Sequence, residues 1–397
     1  MKKTLTRIIC LVVCVVMAVL CFASCKKDDT VVNYAENNTK IKIGVSGPLT
    51  GGAAMYGIAV KNSAQLAIDE INAKGGLNGI QLELVAADDK HDPTQVSTTY
   101  TTLYEGGCQL YLGTVTTGPG IQFKEYAIED GIFYLTPSAS GDDIPSKDGG
   151  FQMCFTDSNQ GTASATYFNT NYKGKKVGIF YKADDDYSVG IKNNFVKGLD
   201  ASFGKPVEAS FTGDTAMFDS QISTLKDCDI IFMPIYYTPA SQFMRQAADD
   251  VKANAIYFGC DGFDGIDAVE GFDIKSISQE VSYLSHFDST STSGPAADYI
   301  NAYKAKYPDA PLNQFGAAAY DCVYAMVKAL EGKEISATMS AQDYAKLLKE
   351  VFSSGSFVFN GVTGECVGGN KSTITWNQDG TVNKVAVKYV VKEASAN

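Results

Sequence analysis

IKIGVSGPLTGGAAMYGIAVKNSAQLAIDEINAKGGLNGIQLELVAAD, residues 41–88, decides the fold. It begins with a short apolar run, IKIGVS (41–46), passes through a glycine-rich polar loop, and reaches a second apolar run, QLELVAA (81–87). Between the runs Ala64, Ala67, Ile68 and Ile71 recur at the three-and-four spacing of one helix face, and Gly75-Gly76 ends the pattern. Two strands joined through a helix lie parallel, because a tight turn can only bring the chain back antiparallel.

The same alternation spreads outward. CQLYLG (108–113) and IFYLTP (132–137) continue the strands, so a parallel sheet covered by helices on both faces is expected. The pattern then restarts: KKVGIFY (175–181), PVEASF (206–211), DIIFMPIYY (229–237) and AIYFGC (255–260) alternate with helical segments such as ASQFMRQAADDVK. The chain is therefore read as α/β, with two successive units of similar length. Each unit follows its first strand with a polar loop, a tyrosine and a glycine, giving Tyr56-Gly57 and Tyr187-Ser188-Val189-Gly190. Both tyrosines fall at carboxyl ends of strands, where open α/β sheets bind ligands, so two facing sheets would share a cleft. Three more helical patterns, 295–307, 314–332 and 341–352, precede the strand-like KSTITW (371–376) and NKVAVKYVV (383–391).

The amino end is of another kind. MKKTLTR carries three cations, and the following uncharged run of 16 residues ends in small residues before Cys25. That is the form of a secretory leader, shorter than the roughly 20 apolar residues of a membrane span. FASC also resembles a bacterial lipobox, with Phe22 an unusual first residue. Residues 1–24 are thus expected to be a signal peptide, Cys25 the lipidated first residue of the mature chain, and 25–40 a tether. The Asn37-Asn38-Thr39 sequon is read as part of that linker.

With 45% hydrophobic and 20% charged residues the chain can bury a large core. It carries 33 Lys and Arg against 45 Asp and Glu, and loss of Lys2, Lys3 and Arg7 with the leader makes it more acidic still. Nucleic acid is not an expected partner. Beyond Cys25 stand Cys108, Cys154, Cys228, Cys260, Cys322 and Cys366, none in a C-x-x-C pair and most in apolar runs. Buried free thiols are the reading, with disulfides the alternative that an extracytoplasmic location permits.

Taken in order, IKIGVSGPLTGGAAMYG, AQLAIDEINAKGGLNG, DDKHDP, EDGIFYLTPSAS, TDSNQG and FGCDGFDG resemble the leucine/isoleucine/valine-binding branch of the periplasmic binding proteins, from about residue 41 to the C-terminus. The resemblance implies a type I fold: two Rossmann-like lobes with parallel sheets, three inter-lobe crossovers and a ligand cleft between the lobes. It puts residues 41–157 and 286–382 in the N-terminal lobe and 158–285 and 383–397 in the C-terminal lobe. The implied protein is an extracytoplasmic, lipid-anchored monomer that delivers an amino acid, branched-chain or similarly small, to the membrane permease of an ATP-driven importer. Alternatives are a receptor-coupled sensor of the same fold and a binder of amide or urea-like molecules.

Catalytic chemistry finds little support. His91 and His286 are the only histidines, and no H-E-x-x-H or G-x-S-x-G occurs. Ser223 to Lys226, STLK, matches S-x-x-K inside a helical pattern but lacks S-D-N and K-T-G companions. Asp261, Asp264 and Asp267 are spaced loosely like a calcium loop, with Phe272 where a bidentate glutamate belongs. No cofactor or metal is expected. A small zwitterion needs donors for its carboxylate, an acceptor for its ammonium and apolar walls. Thr116, Thr117, Ser138 and Ser140 follow strands; on their own they read equally as turn caps. The resemblance gives Thr117, Ser138 and Ser140 the carboxylate role and Asp261 the ammonium; for Asp261 helix capping is the alternative. It adds Tyr56, Tyr187, Tyr236 and Phe263, while neighbouring Tyr237 is read as core. Some relatives have cysteines where this chain has His91 and Thr116, so that family's loop disulfide is not expected.

Overall fold

The computed structural model describes residues 32–363, 365–366, 370–371, 373–384 and 386–394, and its folded unit begins at Tyr34. The leader, Cys25 and most of the tether lie outside the described residues.

Strand β1 (Ile41–Gly47) is buried along almost its whole length and lies between β2 (Leu82–Asp88) and β3 (Leu110–Tyr111), parallel to both. β4 (Tyr134–Thr136) and β5 (Gly150–Gln152) complete the sheet in the order β2-β1-β3-β4-β5. The helix Ala54–Ala73 buries Ala64, Ala67, Ile68 and Ile71 as the spacing required, and Gly75 and Gly76 follow it with φ of 104° and 81°. Burial on that scale stabilises by about 1.5–3 kcal/mol per large aliphatic side chain.

The second sheet contains β6 (Val177–Lys182), β7 (Val207–Phe211), β8 (Ile230–Met233), β9 (Ile256–Gly259) and β10 (Glu280–Ser285), ordered β10-β9-β8-β6-β7. These five are parallel, and the strand Val387–Lys392 closes the edge antiparallel to β10. The chain thus reaches its second sheet after β5, returns after β10 to the helices Gly294–Lys306, Gln314–Leu330 and Ala341–Phe352, and comes back for its last strand. These are the three crossovers between two Rossmann-like lobes.

Three details differ from the sequence reading. The run 229–237 is strand only to Met233, because Tyr236 takes the N-cap position of the helix Tyr237–Gln246. Tyr56 and Tyr187 stand in the first turns of helices rather than in the preceding loops. β5 and β10 were not anticipated; three residues and a mixed Glu-Val-Ser-Tyr run give too little periodicity. Cys108, Cys154, Cys228, Cys260 and Cys322 are free and buried.

In each sheet the strand order reverses beside the first strand, between β1 and β3 and between β6 and β8. Crevices open at the carboxyl ends of strands at such switch points.

Candidate functional site

Between these ends Tyr56, Val115, Thr116, Thr117, Ser138, Ser140, Tyr187, Tyr236, Asp261 and Phe315 line a narrow cavity of about 10 Å³. Pockets for drug-sized ligands run to roughly 300–1,000 Å³, so the lobes stand closed here with the lining groups drawn together.

The first lobe offers hydroxyls. Thr116 is the N-cap of the helix Thr117–Glu129, whose first-turn N–H groups lack intrahelical acceptors and favour negative charge. Ser138 donates to the Val115 carbonyl at 2.6 Å, while the buried Thr117 hydroxyl has no partner among the described residues. The Thr116 hydroxyl lies 2.9 Å from Nδ1 of His91. A hydrogen bond thus joins these two loops of the first lobe.

The second lobe offers aromatics and an acid. Tyr187 and Tyr236 stack with centroids 4.5 Å apart and planes 10° from parallel. The Tyr236 hydroxyl is buried without a partner among the described residues, whereas Tyr187 donates to Asp261 Oδ1 at 2.6 Å and accepts from the Gly262 N–H at 2.9 Å. A methyl group on Gly262 would come within 2.6 Å of the Tyr187 hydroxyl and 2.8 Å of the Ile235 carbonyl, so only glycine lets the acid turn approach this closely.

Asp261 is 1% exposed. Burial raises its carboxyl to about 7, against the lowering effect of the Tyr187 hydroxyl. It opens a single 3-10 turn, Asp261–Phe263, whose N-cap is Cys260. Its neighbour Asp264 accepts the N–H of Gln314 at 2.7 Å and joins the acid turn to a first-lobe helix, whose N-cap is Asn313. No group of three His, Cys, Asp or Glu side chains placed to hold a metal ion occurs among the described residues.

The lobes meet across the cleft. Tyr56 donates to the Gly262 carbonyl at 2.5 Å and Thr238 to the Gly52 carbonyl at 2.7 Å, and the Met55 N–H donates to the Tyr237 hydroxyl at 3.3 Å. Tyr237, read as core, is therefore also a cross-lobe contact.

The sequence profile of the periplasmic binding proteins matches residues 40–390. The chain belongs to that family. It is similar to the Leu/Ile/Val-binding protein BraC3 of Rhizobium johnstonii, 32% identical over 227 residues that cover 56% of this chain and 61% of the relative. It is also similar to the solved structure of the branched-chain amino acid transporter substrate binding protein LivJ from Streptococcus pneumoniae in complex with isoleucine. That likeness has a TM-score of 0.70 and 27% identity, covering 88% of this chain and 100% of the other. A solute binding protein from R. palustris in complex with benzoate shares the fold, with a TM-score of 0.74 and 17% identity over 89% of this chain and 94% of that one.

Within this family member Phe263 departs from its expected place. It is fully buried and its ring fills the space beside Gly259, where a Cβ would lie 2.2 Å from it, so it backs the acid turn and does not line the cavity. Val115 and Phe315 line the cavity unforeseen. Phe315 comes from a helix start far along the chain and packs edge-on to Tyr56 at 4.7 Å, a contact with no local signal. Asp157, within TDSNQG, does not line the cavity but lies beside Ser140 and Asp261. Its side chain is buried, its Oδ1 has no partner among the described residues, and burial pushes its carboxyl well above the ordinary range. Ser223 sits exposed on the short helix Asp219–Leu225 and is not part of the cavity.

Proposed function

We propose that the protein is an extracytoplasmic binding protein for a small amino acid, which it hands to the permease of an ATP-driven importer. The observation that carries the reading is the polarity of the cavity: a buried carboxylate, Asp261, on one lobe faces hydroxyls and a helix N-terminus on the other. Among the described residues lining it there is no Lys or Arg. A free anion would meet Asp261 unfavourably, and a free cation would leave the hydroxyl side idle. A zwitterion matches both ends at once.

In this reading Thr116, Thr117, Ser138 and Ser140 surround the carboxylate and Asp261 accepts the ammonium. Tyr236 supplies a hydroxyl to the ligand, and Tyr56, Val115 and Phe315 form the apolar wall. Closure removes water and strengthens each of these bonds. The names of the relatives favour a branched-chain or similarly small side chain. Residues 1–24 act as the signal peptide and Cys25 as the lipid anchor, with the lobes divided at 41–157 with 286–382 and 158–285 with 383–397. The benzoate-bound neighbour supports a second reading, a carboxylate without an ammonium, which the buried Asp261 disfavours. A thermal-shift screen of the common amino acids against aromatic and aliphatic carboxylates separates the two. Amino acids should stabilise and simple carboxylates should not; the reverse ranking rejects the proposal.

A further inference from the structure

The half-buried side chain of His91 reaches both lobes at the candidate site. It belongs to the first lobe, just after β2, with a left-handed backbone at φ 62°, and its own N–H donates to Asp89 Oδ1 at 3.0 Å. Its ring bonds through Nδ1 to Thr116, a cavity residue, and stands edge-on to the ring of Tyr236, a cavity residue of the opposite lobe, with centroids 5.0 Å apart and planes at 81°. One imidazole therefore touches both halves of the candidate site.

We propose that His91 is a positioning residue for ligand capture, and that the lobes close fully only when its ring is uncharged. The ring fixes the Thr116 hydroxyl at the cavity edge and at the same time supplies the face on which Tyr236 settles. Closing seals it between an aromatic edge and a hydroxyl, which hydrate a cation far less well than water. The charged groups around it are Asp89 and Asp92 on its own loop, Lys182 at the end of β6, and Asp214 beyond β7. Burial is the largest influence, Lys182 adds to it and the aspartates oppose it, with the outcome that the closed site holds the imidazole at about 4 instead of 6.5. The sign follows: a ring that must lose its proton on closing leaves closure unhindered above about pH 6.5 and opposes it progressively as pH falls towards 4. Below 6.5 this weakens capture by up to tenfold per pH unit, beyond any proton taken up by Asp261.

The inference rests on the cleft being the binding site, but its test need not use a ligand. An added Cβ at Gly52 lies 3.8 Å from Thr238 Oγ1 across the cleft, so the pair Gly52→Cys and Thr238→Cys can lock the lobes by oxidation. The chain has two histidines, and the ring of His286 is fully buried, so His91→Gln assigns the remaining imidazole signal in a proton NMR titration. In the reduced protein that signal should titrate near pH 6.5; in the oxidised protein it should not move until below pH 5. Equal titration in the two forms overturns the proposal. In a second arm, L-isoleucine affinity is followed from pH 7.5 to 5 by calorimetry. The wild type should weaken by about tenfold more per pH unit below 6.5 than His91→Gln, and identical profiles count against His91. Failure of L-isoleucine to bind at pH 7.5 rejects isoleucine as the ligand and leaves the locked-protein titration to decide the role of His91.

Discussion

Replacing Asp261 by Asn should make the empty protein more stable and the binding protein nearly useless. Asn keeps the shape and an oxygen for the Tyr187 hydroxyl, which now bonds Oδ1 at 2.6 Å, but removes the charge. In the closed site burial holds the carboxyl at about 7 against an ordinary 3.8. Such a difference corresponds to about 4 kcal/mol working against the charged form at alkaline pH. A raised acid destabilises the fold only where the unfolded chain is ionised, so the gain from Asn is absent below about pH 4, grows through pH 4–7, and is complete above. About 4 kcal/mol is an upper bound, because an opening cleft rehydrates the carboxylate. Binding moves the other way: removing the partner of a buried ammonium costs about 2–5 kcal/mol, or roughly 30- to 4,000-fold in affinity. Thermal melts at pH 4 and pH 8, with amino-acid calorimetry at pH 8, read both effects. A melting temperature lowered at pH 8, or an affinity within threefold of wild type, would overturn this view of Asp261.

Other outcomes follow from the same geometry. Tyr236→Phe should leave the melting temperature of the empty protein unchanged or higher, since the hydroxyl has no protein partner among the described residues, yet weaken the ligand by about 0.5–1.5 kcal/mol; unchanged affinity in titration calorimetry would remove Tyr236 from the site. Gly262→Ala should abolish measurable binding, because its methyl group displaces the Tyr187 hydroxyl; binding within tenfold of wild type contradicts the packing described for the acid turn. Cys25→Ser should release the protein from the membrane fraction, as judged by immunoblotting, and full retention with an uncleaved leader by mass spectrometry argues for a plain anchor helix instead.

The fold puts ligand groups at a fixed place, the residues just after strands, but it takes the family resemblance to separate them from ordinary turn caps. Thr116, Thr117, Ser138, Ser140 and Asp261 all follow a strand by a few positions, and hydroxyls or an acid after an apolar run are conspicuous. Phe263 obeys the same rule but points elsewhere: two residues beyond Asp261 the 3-10 turn swings its ring back over Gly259. Phe315 is the converse case, brought to the cavity by tertiary packing of the helix it begins, with no cue in neighbouring residues. Asp157 reads as an ordinary first-turn acid, behind the N-cap Thr156; only its burial distinguishes it. The overrun of the strand at 229–237 has a simple cause, since Ile235, Tyr236 and Tyr237 continue the apolar run while Tyr236 already caps the next helix.

A cleft that recognises both charges of an amino acid must distinguish that ligand from the same molecule without its ammonium. Calorimetry at pH 7.5 with the most stabilising amino acid and with its des-amino analogue, identical in carboxylate and side chain, makes that comparison. Loss of the ammonium should weaken binding to the wild type by about thirtyfold or more, the lower end of the cost of stranding a buried charge, and by far less in Asp261→Asn. Equal affinity of the wild type for the two compounds would contradict recognition of the ammonium by Asp261.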